Sequence, residues 1–541
     1  MKKIYVLSAI FFLFFFLSDK AFAQPIPAWT ARYNGPIGKS DQIRAMIVVD
    51  GFVYVTGPSD GGKNGNIDYA TIKYDATSGQ QVWIARYNGP GNAEDWPNAI
   101  AADPAGNIYV TGRSVGKNTN CDYATVKYDA ATGAQKWVAR YNSPGNRNDN
   151  AKAIAVDVAG NVLVTGETDG SYVIGSANSA TTIKYDPSDG RQISFDTYDA
   201  LANIYTGTNT HVEEANSITS DSNGNVFIAI KSNGAVIIKY DNSLQRQWIK
   251  NIPGSDVHKI LVDALNNIVA SGWSGQTFKY DSNGGLIWQA THSNGAFWDM
   301  TLDQAGNVYV TGQGSDYLTE KYDANSGALA WSKIYVGSGN GPDFARSIAL
   351  DGSGNVYVTG HCTVQSGKNG LEVMGTIKYN NGGDQQWVLL YDSTSKLTND
   401  GFEVATDGDG NVYVAGQGIS SARANDFDFI TLRYSAGSNG FVTKRINNVV
   451  ENDKTALFSL QNYPNPFFRN TTIQYQLPHD GKVKLVIYDI AGKEISTLVN
   501  ETKFAGIHTI NFDGGKLCSG TYLCKLQYGD LHKTKQLIVL K

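Results

Sequence analysis

The sequence predicts an all-β protein, an eight-bladed β-propeller followed by a small immunoglobulin-like β-sandwich. Three observations support this prediction. The 541 residues include 58 glycines and 30 tyrosines but only 4 methionines, a balance that favours strands and tight turns. A unit with four short strand-like runs recurs eight times. After the last unit, a segment punctuated by prolines returns to the alternation of apolar and polar residues expected of antiparallel strands.

Two markers define the repeating unit. The first is a turn that starts with aspartate, D-x-x-G-N in six of the eight units, followed by an apolar run. Its eight copies begin at Asp50, Asp103, Asp157, Asp221, Asp263, Asp303, Asp351 and Asp407. The second is a K-Y-D tripeptide or its variant, and it begins at Lys73, Lys127, Lys184, Lys239, Lys279, Lys321, Lys378 and Arg433. Since both markers recur in the same order, the chain repeats one structural unit.

Each unit contains four runs of period-2 character. In the second unit they read "NAIAAD", "GNIYVTG", "DYATVKYD" and "QKWVARY", with turn residues between them. Gly106 can adopt the positive φ that the tight turn between the first two runs requires. Four strands in a repeat of this length are typical of a propeller blade, and a closed ring of blades buries the faces that one blade leaves open.

The ends of the repeat region predict how the ring closes. Residues 29–33 read "WTARY", a last-strand sequence that precedes the first complete unit, whereas the eighth unit has only its first three strands. We therefore expect the strand at Trp29 to complete the eighth blade. The alternative is that residues 441–447 supply that strand.

These repeats resemble the bacterial beta-propeller repeat family known as SBBP repeats, over most of residues 29–435. The resemblance rests on "GNVYVTG", "DYATIKYD" and the tryptophan that follows. The third and fourth units depart from the pattern, and Phe195 stands where the tryptophan of the third unit is expected. The resemblance implies a fold and no reaction.

The N-terminus predicts export. Two lysines precede an apolar run, and Ala21-Phe22-Ala23 forms a small-x-small cleavage site, so residues 1–23 read as a signal peptide cut between Ala23 and Gln24. The alternative is an uncleaved membrane anchor, but the apolar run is shorter than the roughly 20 residues that span a bilayer. No later segment is apolar enough to cross a membrane, so we expect no transmembrane segment after cleavage.

The remaining domain boundaries follow from composition. We assign the propeller to residues 24–440, a polar linker to 441–456 and a small β-sandwich to 457–541. The last segment closely resembles the type A C-terminal sorting domain of the type IX secretion system of Bacteroidota. The residues that carry this resemblance include Tyr463, Pro464, Asn465, Pro466, Phe467, Gly492, Gly520 and Tyr522.

The sorting-domain resemblance implies a partner and a location. It implies that the secretion machinery carries the protein through the periplasm and across the outer membrane, so that it is released or held on the cell surface. The alternative is an ordinary immunoglobulin-like binding module. Charge is nearly balanced, with 45 basic and 50 acidic residues, which argues against a nucleic-acid partner. The positions of the four cysteines predict free thiols.

We expect any binding site on the face that carries the long second-to-third loops and the blade crossings, around the channel mouth, because variable loops on a rigid frame commonly bind ligands. Five acidic residues share one phase at the start of the inner strands. They could hold a hard cation such as Ca²⁺, or a basic or hydroxylated ligand. The alternative is that they cap backbone N–H groups or pair with Arg44, Lys152 or Arg346. The five are Asp41, Asp95, Asp149, Glu213 and Asp343.

Three further motifs have structural explanations. The segment that starts at Asp407 resembles a calcium loop, but its in-phase siblings indicate a hairpin turn. Two G-x-S-x-G strings, at 57–61 and 112–116, lie between strands, whereas a nucleophile elbow needs a following helix. The in-phase tryptophans predict packing between blades, with a sugar-stacking surface as the alternative. They are Trp83, Trp137, Trp248, Trp288, Trp331 and Trp387.

Function is the least specified property. Recurrence without a singular catalytic cluster favours a secreted or surface-displayed binding or scaffold module with a glycan or protein ligand. An extracellular glycan hydrolase or lyase is the main alternative, and a structural surface-layer component is another. The "DAATGAQKW" segment resembles the tryptophan-docking motif of eight-bladed quinoprotein dehydrogenases, but the adjacent cysteine pair of that family is absent, so we infer shared blade geometry and no shared cofactor.

Overall fold

The structure is a computed structural model. It describes residues 27–436 and 459–540, apart from 37, 62–65, 145, 170–177, 200–212, 233, 294, 315, 340, 365–370, 392–397, 420–425, 464, 466, 478–480, 491, 504–505, 516 and 530. The chain divides into two compact units, Met1–Lys444 and Arg445–Lys541. All regular structure in the described residues is β-strand, which confirms the predicted fold class. Nothing helical in this part of the chain is long and apolar enough to cross a membrane.

The first strand, β1 (Trp29–Tyr33), stands apart from the sequential blades. Blade 1 consists of β2 (Ala45–Val49), β3 (Phe52–Asp60), β4 (Ile67–Asp75) and β5 (Gln81–Tyr87). Blade 2 consists of β6 (Asp95–Ala102), β7 (Ile108–Val115), β8 (Cys121–Tyr128) and β9 (Gln135–Tyr141). Blade 3 consists of β10 (Asp149–Val156), β11 (Val162–Thr168), β12 (Ser179–Tyr185) and β13 (Gln192–Tyr198). Blade 4 consists of β14 (Glu214–Ser220), β15 (Val226–Ser232), β16 (Gly234–Tyr240) and β17 (Arg246–Ile252).

The second half of the ring repeats this order. Blade 5 consists of β18 (Lys259–Val262), β19 (Ile268–Ser271), β20 (Gln276–Tyr280) and β21 (Leu286–Thr291). Blade 6 consists of β22 (Ala296–Leu302), β23 (Val308–Gln313), β24 (Tyr317–Tyr322) and β25 (Leu329–Tyr335). Blade 7 consists of β26 (Phe344–Leu350), β27 (Val356–Thr363), β28 (Glu372–Tyr379) and β29 (Gln385–Tyr391). Blade 8 consists of β30 (Asn399–Thr406), β31 (Val412–Ile419) and β32 (Phe427–Tyr434), with β1 as its outer strand.

Closure of the ring confirms the predicted role of Trp29. Strand β1 pairs antiparallel with β32, with Trp29 opposite Arg433 and Tyr33 opposite Phe429. The inner strands of neighbouring blades contact one another around the whole ring, including β2 with β30. The alternative closing segment, 441–447, lies outside the described residues. The main-chain hydrogen bonds between β1 and β32 thus join the two ends of the repeat region.

The D-x-x-G-N marker is a hairpin turn. Asp103 Oδ1 accepts hydrogen bonds from the backbone N–H groups of Ala105 and Asn107, at 3.0 and 2.9 Å. Its other oxygen accepts from the Asn107 amide and the Tyr109 hydroxyl. Gly106 has a φ of 81°, which a side chain would disfavour. The aspartate therefore satisfies the turn and ties it to the second strand.

The segment at Asp407 has the same geometry. Asp407 Oδ1 accepts from the N–H groups of Asp409 and Asn411, and its other oxygen accepts from the Tyr413 hydroxyl at 2.8 Å. The interpretation as a hairpin turn is confirmed.

The tryptophan and the K-Y-D lysine connect neighbouring blades. Trp83 Nε1 and Lys73 Nζ donate to the same carbonyl, that of Ala130 in the next blade, at 3.0 and 2.7 Å. A Cβ on Gly133, whose φ is 71°, would lie 2.7 Å from Trp83 Cδ2. The indole thus packs directly on the turn glycine of blade 2. The same tryptophan-to-carbonyl bond recurs at Trp29, Trp137, Trp248, Trp288 and Trp331.

The structure corrects the assignment of the missing tryptophan. The blade tryptophans pair opposite the K-Y-D lysine, as Trp83 does with Lys73. In blade 3 the residue opposite Lys184 is Ser194, whereas Phe195 pairs with Ile183. Phe195 is 52% exposed. Sequence alignment of the strand missed this one-residue shift, which moves a side chain to the opposite face of a sheet.

The core lies between blades. One cluster joins Tyr54 and Trp83 of blade 1 to Ile100, Val110 and Val126 of blade 2, and comparable clusters recur around the ring. Trp83, Trp137, Trp288 and Trp387 are buried, and Trp248 and Trp331 are partly buried against these clusters. Packing between blades is therefore the role of the in-phase tryptophans, as predicted.

The second unit is a β-sandwich of two sheets. The strands are β33 (Ser459–Tyr463), β34 (Asn470–Leu477), β35 (Gly481–Asp489), β36 (Glu494–Lys503), β37 (Gly506–Asp513), β38 (Gly520–Tyr528) and β39 (Leu531–Val539). One sheet has the order β33-β34-β37 and the other the order β36-β35-β38-β39. Its buried core includes Phe467, Ile487 and Leu526.

The sorting-motif residues join the start of the sandwich to its last strand. Asn465 Nδ2 donates to the Gln536 carbonyl at 2.7 Å, and its Oδ1 accepts from the Ile538 N–H at 2.8 Å. The Phe467 N–H donates to the Ile538 carbonyl at 2.9 Å, while its ring is buried. Tyr463 lies in β33, and Pro464 and Pro466 lie outside the described residues.

The remaining sorting-motif residues lie at a turn and in a strand. Gly492 has a φ of 83°, and its N–H donates to the Asp489 carbonyl at 3.0 Å. Gly520 begins β38, and the Tyr522 hydroxyl donates to the Cys518 carbonyl at 3.1 Å. The four cysteines, Cys121, Cys362, Cys518 and Cys524, are free thiols. Ala23 and Gln24 lie outside the described residues.

Candidate functional site

The five acidic residues at the start of the inner strands are buried, with exposures of 1% or less. Asp95 accepts from the N–H groups of Gly89 and Val115, at 2.6 and 3.1 Å. Asp149 accepts from the Ser143 N–H at 2.7 Å, and Asp41 accepts from the Gly35 N–H. Asp343 accepts from the N–H groups of Thr363 and Gly337, and Glu213 holds the same phase in blade 4. This geometry favours the alternative in which they cap backbone N–H groups.

One further residue holds the same position as the five acids but was missed because it is not acidic. Asn399 occupies the same phase in blade 8, five residues before the buried Val404, and is itself fully buried. An amide oxygen accepts hydrogen bonds as a carboxylate oxygen does. The six residues at this position therefore share a hydrogen-bond acceptor and not a charge. Burial raises the pKa of Asp41 and of Asp149 to about 6, and it also raises that of Asp95. A ligand-binding role for the five acids stays a prediction.

The three basic residues that could have paired with these acids have other partners. Lys152 lies 3.3 Å from Glu167, and Arg346 lies 3.0 Å from Asp400. The Arg44 guanidinium lies 5.5 Å from the centre of the Trp96 ring. In the described part of the chain, no group of three or more His, Cys, Asp or Glu side chains has a geometry that could hold a metal ion.

A different set of in-phase residues breaks the symmetry of the ring. Each inner strand has one apolar residue in the phase of Met46 that packs into the core between blades. We call the positions directly before these residues the channel layer. Blades 1, 2 and 3 contribute small apolar residues to it, whereas blades 4 to 8 contribute polar or charged ones. In blade order, the channel layer is Ala45, Ala99, Ala153, Ser217, Lys259, Asp299, Ser347 and Glu403.

Four of these side chains form a connected polar arc across blades 5 to 8. Lys259 Nζ lies 3.1 Å from Asp299 Oδ1, and its side chain is 40% exposed although it starts an inner strand. The Ser347 hydroxyl donates to Asp299 Oδ2 at 3.1 Å and lies 3.3 Å from Glu403 Oε2. Asp299 Oδ2 also accepts the Ile348 N–H at 3.0 Å. Each contact joins the inner strands of neighbouring blades, and Asp299, Ser347 and Glu403 lie near the middle of their strands.

The charges of this polar arc depend on burial. Burial raises the pKa of Glu403 to about 8, the nearby Asp299 charge raises it further, and Lys259 opposes the shift. The charge of Asp299 raises the pKa of Lys259. At neutral pH the arc therefore holds a charged lysine beside an aspartate, then a serine and a protonated glutamic acid. Such an arrangement offers both donors and acceptors to a polar ligand in the channel.

Sequence reasoning missed this arc because it searched for one residue type at each phase. Lys259, Asp299 and Glu403 occupy equivalent positions but are three different residue types, so no common motif identifies them. The detectable signal was the contrast between the alanines of blades 1 to 3 and the polar residues of the others. Aligning the repeats and asking where they differ would have found it.

The two G-x-S-x-G strings are structural. Ser59 and Ser114 are buried at strand positions, and no helix follows either string in the described residues. Arg140 donates to the Ser114 hydroxyl at 2.6 Å, to the Tyr87 hydroxyl at 2.8 Å and to Asp122 at 2.8 Å. Arg86 makes the equivalent contacts with Ser59 one blade earlier. Each serine therefore holds an arginine of its own blade, and that arginine contacts a tyrosine of the preceding blade.

Fold and C-terminal module together define an exported β-propeller protein. Family models match the chain at two kinds of segment: a beta-propeller repeat at residues 82–118 and 330–364, and a secretion system C-terminal sorting domain at residues 461–540. The chain thus contains SBBP beta-propeller repeats and a C-terminal sorting domain of the type IX secretion system. That domain implies interaction with the secretion machinery, and secretion or a cell-surface location.

Solved structures offer distant likenesses. BamB from Moraxella catarrhalis is 13% identical, with a TM-score of 0.44 over 76% of this chain and 100% of its own. Quinohemoprotein alcohol dehydrogenase from Comamonas testosteroni is 12% identical, with a TM-score of 0.45 over 79% of this chain and 78% of its own. Likeness at this level carries no conclusion about activity. A search of curated proteins found none that matches the chain.

Proposed function

We propose that this protein is an extracellular binding or scaffold module whose ligand site lies at the channel mouth, on the face of the long second-to-third loops. Residues 1–23 direct it into the periplasm, the signal is cut between Ala23 and Gln24, and the sorting domain then directs it out of the cell. The observation that carries the proposal is the asymmetry of the channel layer. A ring held together by repetition alone has no need of Lys259, Asp299 and Glu403 on one side and alanines on the other.

Binding is tested on the mature chain purified from culture medium. The probes are an array of extracellular oligosaccharides and a panel of surface proteins from the producing cell. We expect Lys259→Ala to weaken binding of the retained ligand at least tenfold, about 1.4 kcal/mol. Lys136→Ala is the matched control, because Lys136 forms an exposed ion pair with Asp129 on an outer strand. Equal binding by the Lys259 variant and the wild type would contradict a site at this arc.

A second candidate function rests on the state of Glu403. A protonated glutamic acid linked through Ser347 to a second carboxyl group, that of Asp299, offers the two carboxyl groups that acid–base hydrolysis of a glycosidic bond uses. The test is release of reducing ends from polysaccharides by the purified chain. If the wild type releases reducing ends and Glu403→Gln does not, the protein is an extracellular glycan hydrolase. If a polysaccharide binds but is not cleaved, the protein is a binding module.

Export is tested separately. Removing residues 457–541 should keep the propeller in the periplasm, whereas removing residues 1–23 should keep the chain in the cytoplasm. Fractionation and immunodetection distinguish the two locations. Appearance of the shortened chain in the medium would contradict the assigned role of the sorting domain.

A further inference from the structure

Three aromatic side chains form a partly exposed cluster beside the polar arc. The rings of His258 and Trp273 stack, with centroids 5.2 Å apart and an interplanar angle of 24°. Trp298 lies 5.1 Å from Trp273 and 6.0 Å from His258, tilted to one and edge-on to the other. The Lys231 ammonium lies 4.8 Å from the Trp273 ring centre. We call these four residues the aromatic platform.

The rings of the aromatic platform lie at two positions of the repeat. In the other blades these positions carry polar or apolar residues and rarely an aromatic one. Trp273 follows Gly272, the residue directly after the second strand of blade 5. At the same position the other blades have Pro58, Arg113, Glu167, Lys231, Gln313, His361 and Gln417. Trp298 and His258 share a second phase, just before the channel layer, with Arg44, Asn98, Lys152, Asn216, Arg346 and Phe402. Among the described residues, a ring at the first position contacts a ring at the second only at blades 5 and 6, where Trp273 contacts His258 and Trp298. Blade packing does not explain them, because each blade tryptophan lies on an outer strand.

The platform keeps apolar surface open to solvent. Trp273 is 37% exposed, whereas the blade tryptophans Trp83 and Trp137 are 8% exposed. A large aromatic side chain left at the surface beside a channel loses the free energy that burial would provide, which is expected where a ligand covers it.

Two polar atoms at the platform are buried without a hydrogen-bond partner among the described residues. Trp298 Nε1 is a donor, and Asp256 Oδ1 is an acceptor two residues before His258. Lys231 links the two parts of the site, because it faces the Trp273 ring and its charge acts on Asp256. Unsatisfied buried polar groups are costly, so a donor and an acceptor left open here indicate a ligand that supplies both kinds of partner.

We propose that the aromatic platform binds a pyranose ring of an extracellular glycan. The C–H face of a pyranose is apolar and suits the face of Trp273, while its hydroxyl groups both donate and accept hydrogen bonds, as Trp298 Nε1 and Asp256 Oδ1 require. Burial lowers the pKa of His258 to about 4, so the imidazole is neutral at pH 7 and adds one donor and one acceptor. Lys259, next to His258 in sequence, leads from the platform to the polar arc.

The nearby charges argue against a cationic ligand as the occupant. Lys231 already covers one side of Trp273. Three lysine charges act on His258, those of Lys259, Lys231 and Lys152, against one acidic charge, that of Asp299. A quaternary ammonium group would meet these like charges. A sugar hydroxyl accepts from an ammonium group without that repulsion.

This inference rests on the proposed function, and its experiment separates the two. The mature full-length chain is titrated with soluble hexasaccharides of glucose, xylose, mannose and galacturonic acid, and tryptophan emission and calorimetry report binding. We expect at least one to bind, and we expect Trp273→Ala to weaken that binding at least tenfold and Trp298→Phe, which keeps a ring but removes the donor, to weaken it severalfold. Phe195→Ala is the matched control, because Phe195 is an exposed aromatic residue on the outer strand of blade 3.

The possible outcomes distinguish the glycan proposal from the proposed site at the channel mouth. If none of the four hexasaccharides binds, the glycan proposal is wrong. Binding that survives both tryptophan variants but is lost in Lys259→Ala overturns the platform and leaves the channel-mouth site in place. Binding that all three variants leave unchanged overturns both. Thermal melting of each variant verifies folding, and Trp298→Phe preserves the test if Trp273→Ala proves unstable.

Discussion

The indole Nε1 of Trp29 donates a hydrogen bond to the Ala76 carbonyl at 3.0 Å, so the first strand of the chain is fixed to blade 1 as well as to blade 8. A Cβ on Gly79 would lie 2.5 Å from the Trp29 ring, which shows how closely the indole covers that turn. Trp29→Ala should lower the free energy of unfolding by about 2–4 kcal/mol, because it removes this packing and loosens the closing strand. Urea denaturation of the mature chain measures the loss.

The control for closure is the same substitution inside the ring. Trp83→Ala removes an equivalent indole, bonded to the Ala130 carbonyl at 3.0 Å, but leaves β1 in place. We expect both variants to lose stability, and only Trp29→Ala to expose β1 to limited proteolysis. Equal protease resistance of β1 in the two variants would contradict its role as the closing strand.

The turn glycines that carry the tryptophans should tolerate no side chain. Gly133 has a φ of 71°, and a Cβ there would lie 2.7 Å from Trp83 Cδ2. Gly133→Ala should therefore cost about 1–3 kcal/mol, measured as a lower urea midpoint with an unchanged slope. Gly352→Ala is the control, since a Cβ at Gly352 meets nothing within 4 Å and φ there is not left-handed. A similar loss in both variants would show that strain at Gly133 is not the cause.

The capping role of the inner-strand acids predicts which substitutions they accept. Asp95→Asn should change stability by less than about 1 kcal/mol, because an amide oxygen can accept from Gly89 or Val115 and Asn399 holds this phase in blade 8. Asp95→Ala leaves both N–H groups buried without an acceptor and should cost about 1–3 kcal/mol. Thermal melts distinguish the two, and an equal effect of Asn and Ala would contradict capping.

Repetition explains why the fold was predictable. The aspartate of the first marker closes a turn, as Asp103 does. In four blades the K-Y-D lysine and the blade tryptophan donate to one carbonyl of the next blade, as Lys73 and Trp83 do. A contact that recurs from blade to blade needs the same residue type at a regular interval, so the sequence shows it. Closure by Trp29 was predictable for the same reason, since residues 29–33 have the last-strand sequence that the eighth unit lacks.

The candidate site shows no such recurrence. Lys259, Asp299 and Glu403 interact because neighbouring inner strands bring them together, and Trp273 meets Trp298 from another blade. Each of these residues occurs once at its phase. A search for recurring acids therefore found acids such as Asp95, which accepts hydrogen bonds from backbone N–H groups, and passed over the positions where the blades differ. The register of β13 was also beyond sequence reasoning, because a shift of one position decides whether Ser194 or Phe195 lies opposite Lys184.

Glu403 makes the stability of the ring depend on pH. Burial beside Asp299 raises its pKa to about 8 from a usual value of 4.5, so between these values the folded chain retains a proton that the unfolded chain has released. The unfolded state then binds fewer protons, and stability falls as pH rises from 4.5 to 8; above pH 8 the full loss is present. Glu403→Gln keeps the neutral shape and should melt above the wild type at pH 9, by about 2–4 °C, with little difference at pH 5.

The comparison depends on the difference between two melting curves and not on either alone, because many other groups titrate over the same range. Lys259, Asp299 and Ser347 face Glu403 and stay unchanged in the variant. Glu372→Gln, which removes an exposed carboxylate from β28, is the matched control and should follow the wild type throughout. If the Glu403→Gln and wild-type melting temperatures run parallel from pH 5 to 9, Glu403 is ionised in the folded protein at neutral pH. The polar arc would then carry two negative charges against one lysine, and the hydrolase candidate would lose its proton donor.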